Sequence, residues 1–240
     1  MPNENSPLVL VTGGARRVGA EIVRAFARFG ARVIIHYGNS RAEAEALLAE
    51  IGGEKNGHSC VRFDLSRPGE VPDFIASLPR ELSVIVNNAS VFRRSSAGLE
   101  TPEEAQNQYN INFHSPFAMI RALPVHSSEP ELSVVNLLDQ AVFSTPADSC
   151  SYILSKKMLA EATELAARQF APRMRVNGVA PGPVFPPAGL EHLKMAKTLS
   201  TLPLGRPVHV SDLAEAVRML AFNRSITGSI LKVDCGQSLL

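Results

Sequence analysis

The sequence predicts a doubly wound α/β domain, one parallel β-sheet with helices on both faces. Three observations carry the prediction. Short apolar runs alternate with longer stretches whose apolar residues recur every three or four positions. That strand–helix–strand rhythm means parallel strands joined by helical crossovers. The apolar runs are also near-continuous, as in strands covered on both faces. Third, a glycine-bearing turn, Thr12-Gly13-Gly14-Ala15-Arg16-Arg17-Val18-Gly19, follows the first run.

Leu8 to Val11 is the first expected strand. A helix over Ala20 to Phe29 carries Ile22, Val23, Phe26 and Phe29 on one face, and Gly30 ends it. Arg32 to Ile35 reads as the second strand, Arg41 to Ile51 as an Ala/Glu/Leu-rich helix, Ser59 to Phe63 as the third strand and Leu82 to Val86 as the fourth. A helical stretch around Pro102 to Leu123 leads to a fifth strand, Leu132 to Leu138. Ser151 to Phe170 leads to a sixth, Arg173 to Val179, and Ser211 to Leu220 to a seventh, Ser229 to Val233. The expectation is a single Rossmann-type domain over residues 1–240. Its proline-bearing segment around 183–203 follows strand six, where ligands of such sheets sit, and reads as a substrate lid.

Composition narrows the function classes. The 240 residues are 45% hydrophobic, enough for a sizeable core, and 24 basic against 23 acidic side chains give a net charge of +1. With its Lys and Arg dispersed, the chain is not expected to bind nucleic acid. No apolar run is long enough to predict a membrane span. Met1 to Pro7 lacks the basic and apolar regions of a signal peptide, so the expected location is cytoplasmic. Cys60, Cys150 and Cys235 make no CxxC pair, and the six histidines form no i, i+4 pair or cluster with cysteine, so no metal is expected.

A glycine turn between strand and helix lets backbone approach a pyrophosphate, which then meets free N–H groups and the positive end of the helix dipole. Arg16 and Arg17 would oppose that dipole unless an anion binds there. An acid after the second strand would favour NAD and repel the extra phosphate of NADP. Here the sequence reads Ile35-His36-Tyr37-Gly38-Asn39-Ser40-Arg41, without an acid. NADPH is therefore the expected cofactor, with Tyr37, Asn39 and Ser40 near it and Arg16 or Arg41 as candidate cations. Asn39-Ser40 also reads as a helix cap.

Tyr152-Ile153-Leu154-Ser155-Lys156 puts a phenol and an ammonium at i and i+4, on one helix face. A nearby ammonium stabilises a phenolate, so the expectation is a tyrosine of lowered pKa that exchanges a proton with substrate.

Taken together, the motifs resemble the short-chain dehydrogenase/reductase family over nearly the whole chain. They are Thr12-Gly13-x-x-x-Arg17-x-Gly19, Asp64-Leu65, Asn87-Asn88-Ala89-Ser90, Asn112, Tyr152/Lys156, Pro181-Gly182, Thr227-Gly228 and Val233-Asp234. Two departures from the common pattern, Arg17 for glycine and Asp139 for the serine thirteen residues before Tyr152, resemble the pteridine reductases and dihydromonapterin reductases. Cys235 also stands where the family usually has glycine.

The resemblance implies a role for each motif. Gly13, Arg16, Arg17, Val18, Gly19, Asp64, Leu65, Asn88, Ala89, Ser90, Tyr152, Lys156, Pro181 and Gly182 would border the cofactor. Asp139, Tyr152, Lys156 and Asn112 would be catalytic, with Asn112 ordering a helix carbonyl and water towards Lys156. Arg17, Ser90, Phe92, Asp139 and Tyr152 would meet the substrate, with Phe92 stacking on a pterin. A carboxylate suits nitrogen-rich rings, since it accepts from ring N–H groups or, protonated, donates to an imine nitrogen. The implied activity is NADPH-dependent reduction of a pterin or folate. An NADPH carbonyl or ketone reductase and a non-catalytic NADP-binding regulator are the alternatives. The family also implies a homotetramer or homodimer, and the breadth of the apolar surface on the 102–123 and 151–170 helices agrees with a second packing surface.

Overall fold

The computed structural model describes residues 6–93, 99–144, 149–185 and 199–240. Its sheet has seven parallel strands: β1 (Leu8–Val11), β2 (Arg32–Tyr37), β3 (Ser59–Arg62), β4 (Leu82–Asn87), β5 (Leu132–Leu137), β6 (Met174–Pro181) and β7 (Ile230–Val233). Their order is β3-β2-β1-β4-β5-β6-β7, with every neighbouring pair parallel. The chain therefore reverses its winding between β1 and β4, and the crevice at their carboxyl ends is where such sheets bind ligands.

Helices α1 (Arg17–Arg28), α2 (Arg41–Glu50), α3 (Val71–Ala76), α4 (Pro102–Tyr109), α5 (Ser115–His126), α6 (Cys150–Gln169) and α7 (Val210–Phe222) cover the sheet. Strand alternation divides the core in two. Val9 and Val11 of β1 face Ile22 and Phe26 of α1 and Leu213 and Val217 of α7. Leu8 and Leu10 face the other way, onto Phe74 and Ile75 of α3 and Met119 and Ile120 of α5. Each such fully buried side chain contributes roughly 1.5–3 kcal/mol relative to exposure.

Sequence reading missed α3, whose short Val-Pro-Asp-Phe-Ile-Ala stretch holds too few turns for a period to show. It also ran one helix through 102–123, where the chain forms α4, a π-helical turn over Asn110–His114 and then α5. The wide turn places Asn112, 1% exposed, against the loop after β4. A capping box between Thr101 and Glu104 and a proline at the first turn fix the start of α4. Of the expected lid, residues 186–198 lie outside the described residues. Among the described residues no helix is long and apolar enough to cross a membrane.

Candidate active site

The glycine turn is built by close backbone approach. Gly13 adopts φ +60°, and a Cβ there would lie 3.0 Å from Ala89 Cα. At Gly19 a Cβ would lie 2.1 Å from the Gly13 carbonyl oxygen, so a side chain is excluded. The turn is tied across the switch point to β4. Asn88 Nδ2 donates to the carbonyls of Thr12 at 2.9 Å and Gly13 at 3.1 Å, and the Asn88 and Ala89 amides each donate to Thr12 Oγ1 at 3.0 Å. On the other side the buried His36 imidazole accepts the Gly13 amide at Nδ1, 3.1 Å. Its Nε2 must then carry the proton, donated to Phe63 O at 3.1 Å. Burial holds the His36 pKa down at about 4, so the ring is neutral.

This turn opens on two adjoining cavities. One, about 470 Å³, is lined by Gly13, Arg16, Arg17, Val18, Gly19, Tyr37, Ser40, Asn88, Ala89, Ser90, Phe92 and Tyr152. The other, about 360 Å³, lies over the ends of β2 and β3 and is lined by Gly13, Arg16, Asn39, Ser40, Asp64, Leu65, Ala89 and Ser90, with His36 and Arg62. Glycines that leave no room for a side chain, donor groups and an elongated pair of cavities fit a dinucleotide. Arg17 opens α1 with φ +53°, a left-handed conformation unusual for a side-chain-bearing residue, and its guanidinium lies 5.1 Å above the Phe185 ring.

Arg41, Pro181 and Gly182, expected near the cofactor, do not line these cavities. Arg41, a candidate for the extra phosphate, lines neither cavity; its Nε bonds Glu45 at 2.7 Å. Arg62, which sequence reading overlooked, does line the second. Parallel pairing of Tyr37 with Arg62 is the register that brings it there, and one sequence alone does not reveal that register. Pro181 ends β6 and Gly182 follows it, and a Cβ on Gly182 would lie 2.8 Å from Asp234 Cα. Cys235 adopts φ +54°, which accounts for the glycine usual there.

The proton-handling residues converge from β5 and α6. Tyr152 Oη donates to Asp139 Oδ2 at 2.8 Å, while Asp139 Oδ1 accepts the Ala141 amide at 2.8 Å. Asp139 therefore caps the following helical turn and also faces the phenol. The expectation of a lowered tyrosine pKa is overturned: burial first, then the Asp139 charge, push Tyr152 well above its usual value. Lys156 is buried, with Nζ 5.9 Å from the Tyr152 ring centroid and bonded to Leu137 O at 2.8 Å. Burial lowers its pKa to about 8, against the opposing pull of Asp139.

Asn112 ties the loop after β4 to α6. Its Oδ1 accepts Ser90 Oγ at 3.0 Å and the Val91 amide at 2.9 Å, and its Nδ2 donates to Val91 O at 2.9 Å and Ser155 Oγ at 3.2 Å. That bracing aims Phe92, whose ring meets Tyr152 edge-on at 4.8 Å and 84° and is 58% exposed. An aromatic wall, a phenol and a carboxylate thus meet at the mouth of the glycine-lined cavity.

The chain is similar to known proteins along almost its whole length. Residues 13–238 match the family model described as enoyl-(acyl carrier protein) reductase. The structure of FolM alternative dihydrofolate reductase 1 from Brucella canis, complexed with NADP, superposes with a TM-score of 0.91 at 34% identity, covering 98% of this chain and 95% of that one. Pteridine reductase 1 of Leishmania tarentolae is 28% identical, covering 98% and 97% of the two chains. The 3-oxoacyl-[acyl-carrier-protein] reductase FabG of Staphylococcus aureus is 28% identical, covering 95% and 96%. Sheet order, glycine turn, tyrosine–lysine pair and this match along almost the entire length make the chain an oxidoreductase of the short-chain dehydrogenase/reductase family.

Proposed function

We propose that this protein is an NADPH-dependent reductase of a pterin or folate-type ring. The observation that carries the reading is the Tyr152–Asp139 hydrogen bond, a phenol paired with a carboxylate. When bound, the dinucleotide supplies a hydride to the carbon of a C=N bond. The chain's part is to hold the ring and deliver a proton to the nitrogen. Gly13, Gly19, Arg16, Asn88 and Ala89 form the cradle, and Tyr37, Asn39, Ser40, Asp64 and Leu65 receive the adenosine end. Phe92 and Arg17 border the substrate slot, with Ser90 at its floor. Tyr152, kept protonated by burial and by Asp139, is the proton reservoir. Lys156 sits behind it to replenish the proton. The NADP of the Brucella canis structure and the pteridine reductase relative support the cofactor and the substrate class.

The test is NADPH consumption with dihydropterin, biopterin, dihydrofolate and a panel of small carbonyl compounds side by side. Fast turnover of the pterins or dihydrofolate is expected. Turnover of carbonyls alone would overturn the pterin reading and favour a second one, a carbonyl reductase, to which the FabG relative points. NADPH binding without any turnover would favour a regulator.

The reading includes assembly with further copies of the chain, as a homotetramer or homodimer. The groove between α5 and α6, about 800 Å³, is lined by Phe113, Phe117, Leu154 and Leu165, the last two 45% and 67% exposed. Its apolar floor is of the kind a second copy would cover.

A further inference from the structure

We propose that Arg62 selects the phosphorylated form of the cofactor, taking the phosphate monoester on the adenosine ribose together with Asn39 and Ser40. The inference rests on the dinucleotide reading above and adds to it the residue that discriminates.

Arg62 ends β3 directly beside Tyr37, the last residue of β2. Its Nε donates to the Gly38 carbonyl at 3.2 Å. That single tether fixes the guanidinium plane at the rim of the 360 Å³ cavity and leaves both Nη groups to donate. A planar fork held in this way matches two oxygens of a phosphate, which carries about −1.5 to −2 charge at neutral pH.

The distribution of charge singles out Arg62. Arg16, the other cation lining this cavity, is shared with Glu43 at 3.3 Å. Arg41 is turned to Glu45 at 2.7 Å, and Arg67 lies 3.4 Å from Glu70 and 3.7 Å from Asp64. Among the described residues Arg62 makes no direct ion pair, and its charge acts on Asp64 only at longer range. Asp64, the acid of the cavity, spends Oδ1 on the Ser66 amide at 2.9 Å.

The neighbouring polar side chains are also uncommitted. Ser40 occupies the position before α2 but makes no capping hydrogen bond with its hydroxyl. Asn39 makes no side-chain hydrogen bond among the described residues. An amide, a hydroxyl and a tethered guanidinium thus line one cavity, and the carboxylate that shares it, Asp64, is bonded to the Ser66 amide.

The experiment is equilibrium titration of NADPH and NADH, followed by nicotinamide fluorescence, on the wild-type protein and on Arg62→Ala and Arg62→Lys. Adenosine 2′,5′-bisphosphate and 5′-AMP, followed by calorimetry, report the adenosine end alone. The wild type is expected to bind NADPH and the bisphosphate more tightly than their unphosphorylated counterparts. In Arg62→Ala the Kd for NADPH and for the bisphosphate should rise about tenfold or more, while that for NADH stays within about twofold. Unchanged NADH binding certifies that the variant is folded. Arg62→Lys, which keeps charge but not the fork, should fall between the two. Equal loss of NADPH and NADH binding in both variants would make Arg62 a structural residue and overturn the proposal, as would no loss at all. A wild type indifferent to the phosphate would overturn the NADPH reading and this inference together. A wild type that prefers NADPH and is unaffected by either substitution would sink this inference alone.

Discussion

Tyr152 and Asp139 share one hydrogen bond of 2.8 Å, and the carboxylate's other oxygen is held by the Ala141 amide. The phenol therefore points at an acceptor whose direction the backbone has already set. Replacing Asp139 by serine shortens the side chain and removes a charge that keeps Tyr152 protonated. On the proposed function, kcat for a pterin should fall about a hundredfold, within the range of a lost proton-transfer group, while the Kd for NADPH changes little. Rapid-mixing rates with a fluorescence titration would check both. An Asp139→Ser enzyme with undiminished pterin rates would reduce Asp139 to a helix cap.

Arg17 holds a φ of +53° that glycine would adopt freely. Arg17→Gly should raise thermal stability by about 1 kcal/mol through relief of the left-handed conformation. It should also weaken substrate binding, because the cation at the cavity mouth is lost. Calorimetric melting and the KM for a pterin would test the two effects. A variant that is less stable than wild type would show that the Phe185 contact outweighs the strain.

His36 makes native stability depend on pH. Its folded pKa is about 4, below the ordinary 6.5, because burial disfavours the charged ring. Between those values the unfolded chain binds a proton that the native ring refuses. The His36 contribution is thus complete above about pH 6.5, is lost as the pH falls towards 4, and then levels. His36→Asn offers an acceptor for Gly13 and a donor for Phe63 without titrating. Between pH 7.5 and 4.5 the wild type should lose about 2 kcal/mol more than this variant in denaturant melts. Parallel losses would disprove the linkage.

Leu165, 67% exposed on the outer face of α6, tests the proposed assembly. Leu165→Glu should lower the mass measured by light scattering to that of one chain, with the far-ultraviolet spectrum unchanged. A wild-type protein already monomeric would refute the assembly.

Much of this molecule was legible in its residues. The strands were readable because each apolar run is bounded by glycine, proline or polar residues, and the glycine turn because only glycine suits Gly13 and Gly19. The pairing of Tyr152 with Lys156 follows from helical spacing. Whatever depends on strand register or dielectric was not legible. Arg62 enters the cavity through its pairing with Tyr37. Tyr152 has its pKa raised rather than lowered because burial and the Asp139 carboxylate both disfavour the phenolate. The pairing of Arg41 with Glu45, one turn along the same helix, was not read from the sequence either.

The bonds from Asn88 and Ala89 to Thr12 join positions about 76 residues apart in the chain. They give the glycine turn a history as well as a shape. A ribosome releasing only the first three strands exposes the complete glycine motif without the partner that closes it. The turn is finished when β4 slots in beside β1, so competence to bind a dinucleotide arrives as a threshold in chain length, with the long-range pairing that closes the switch point.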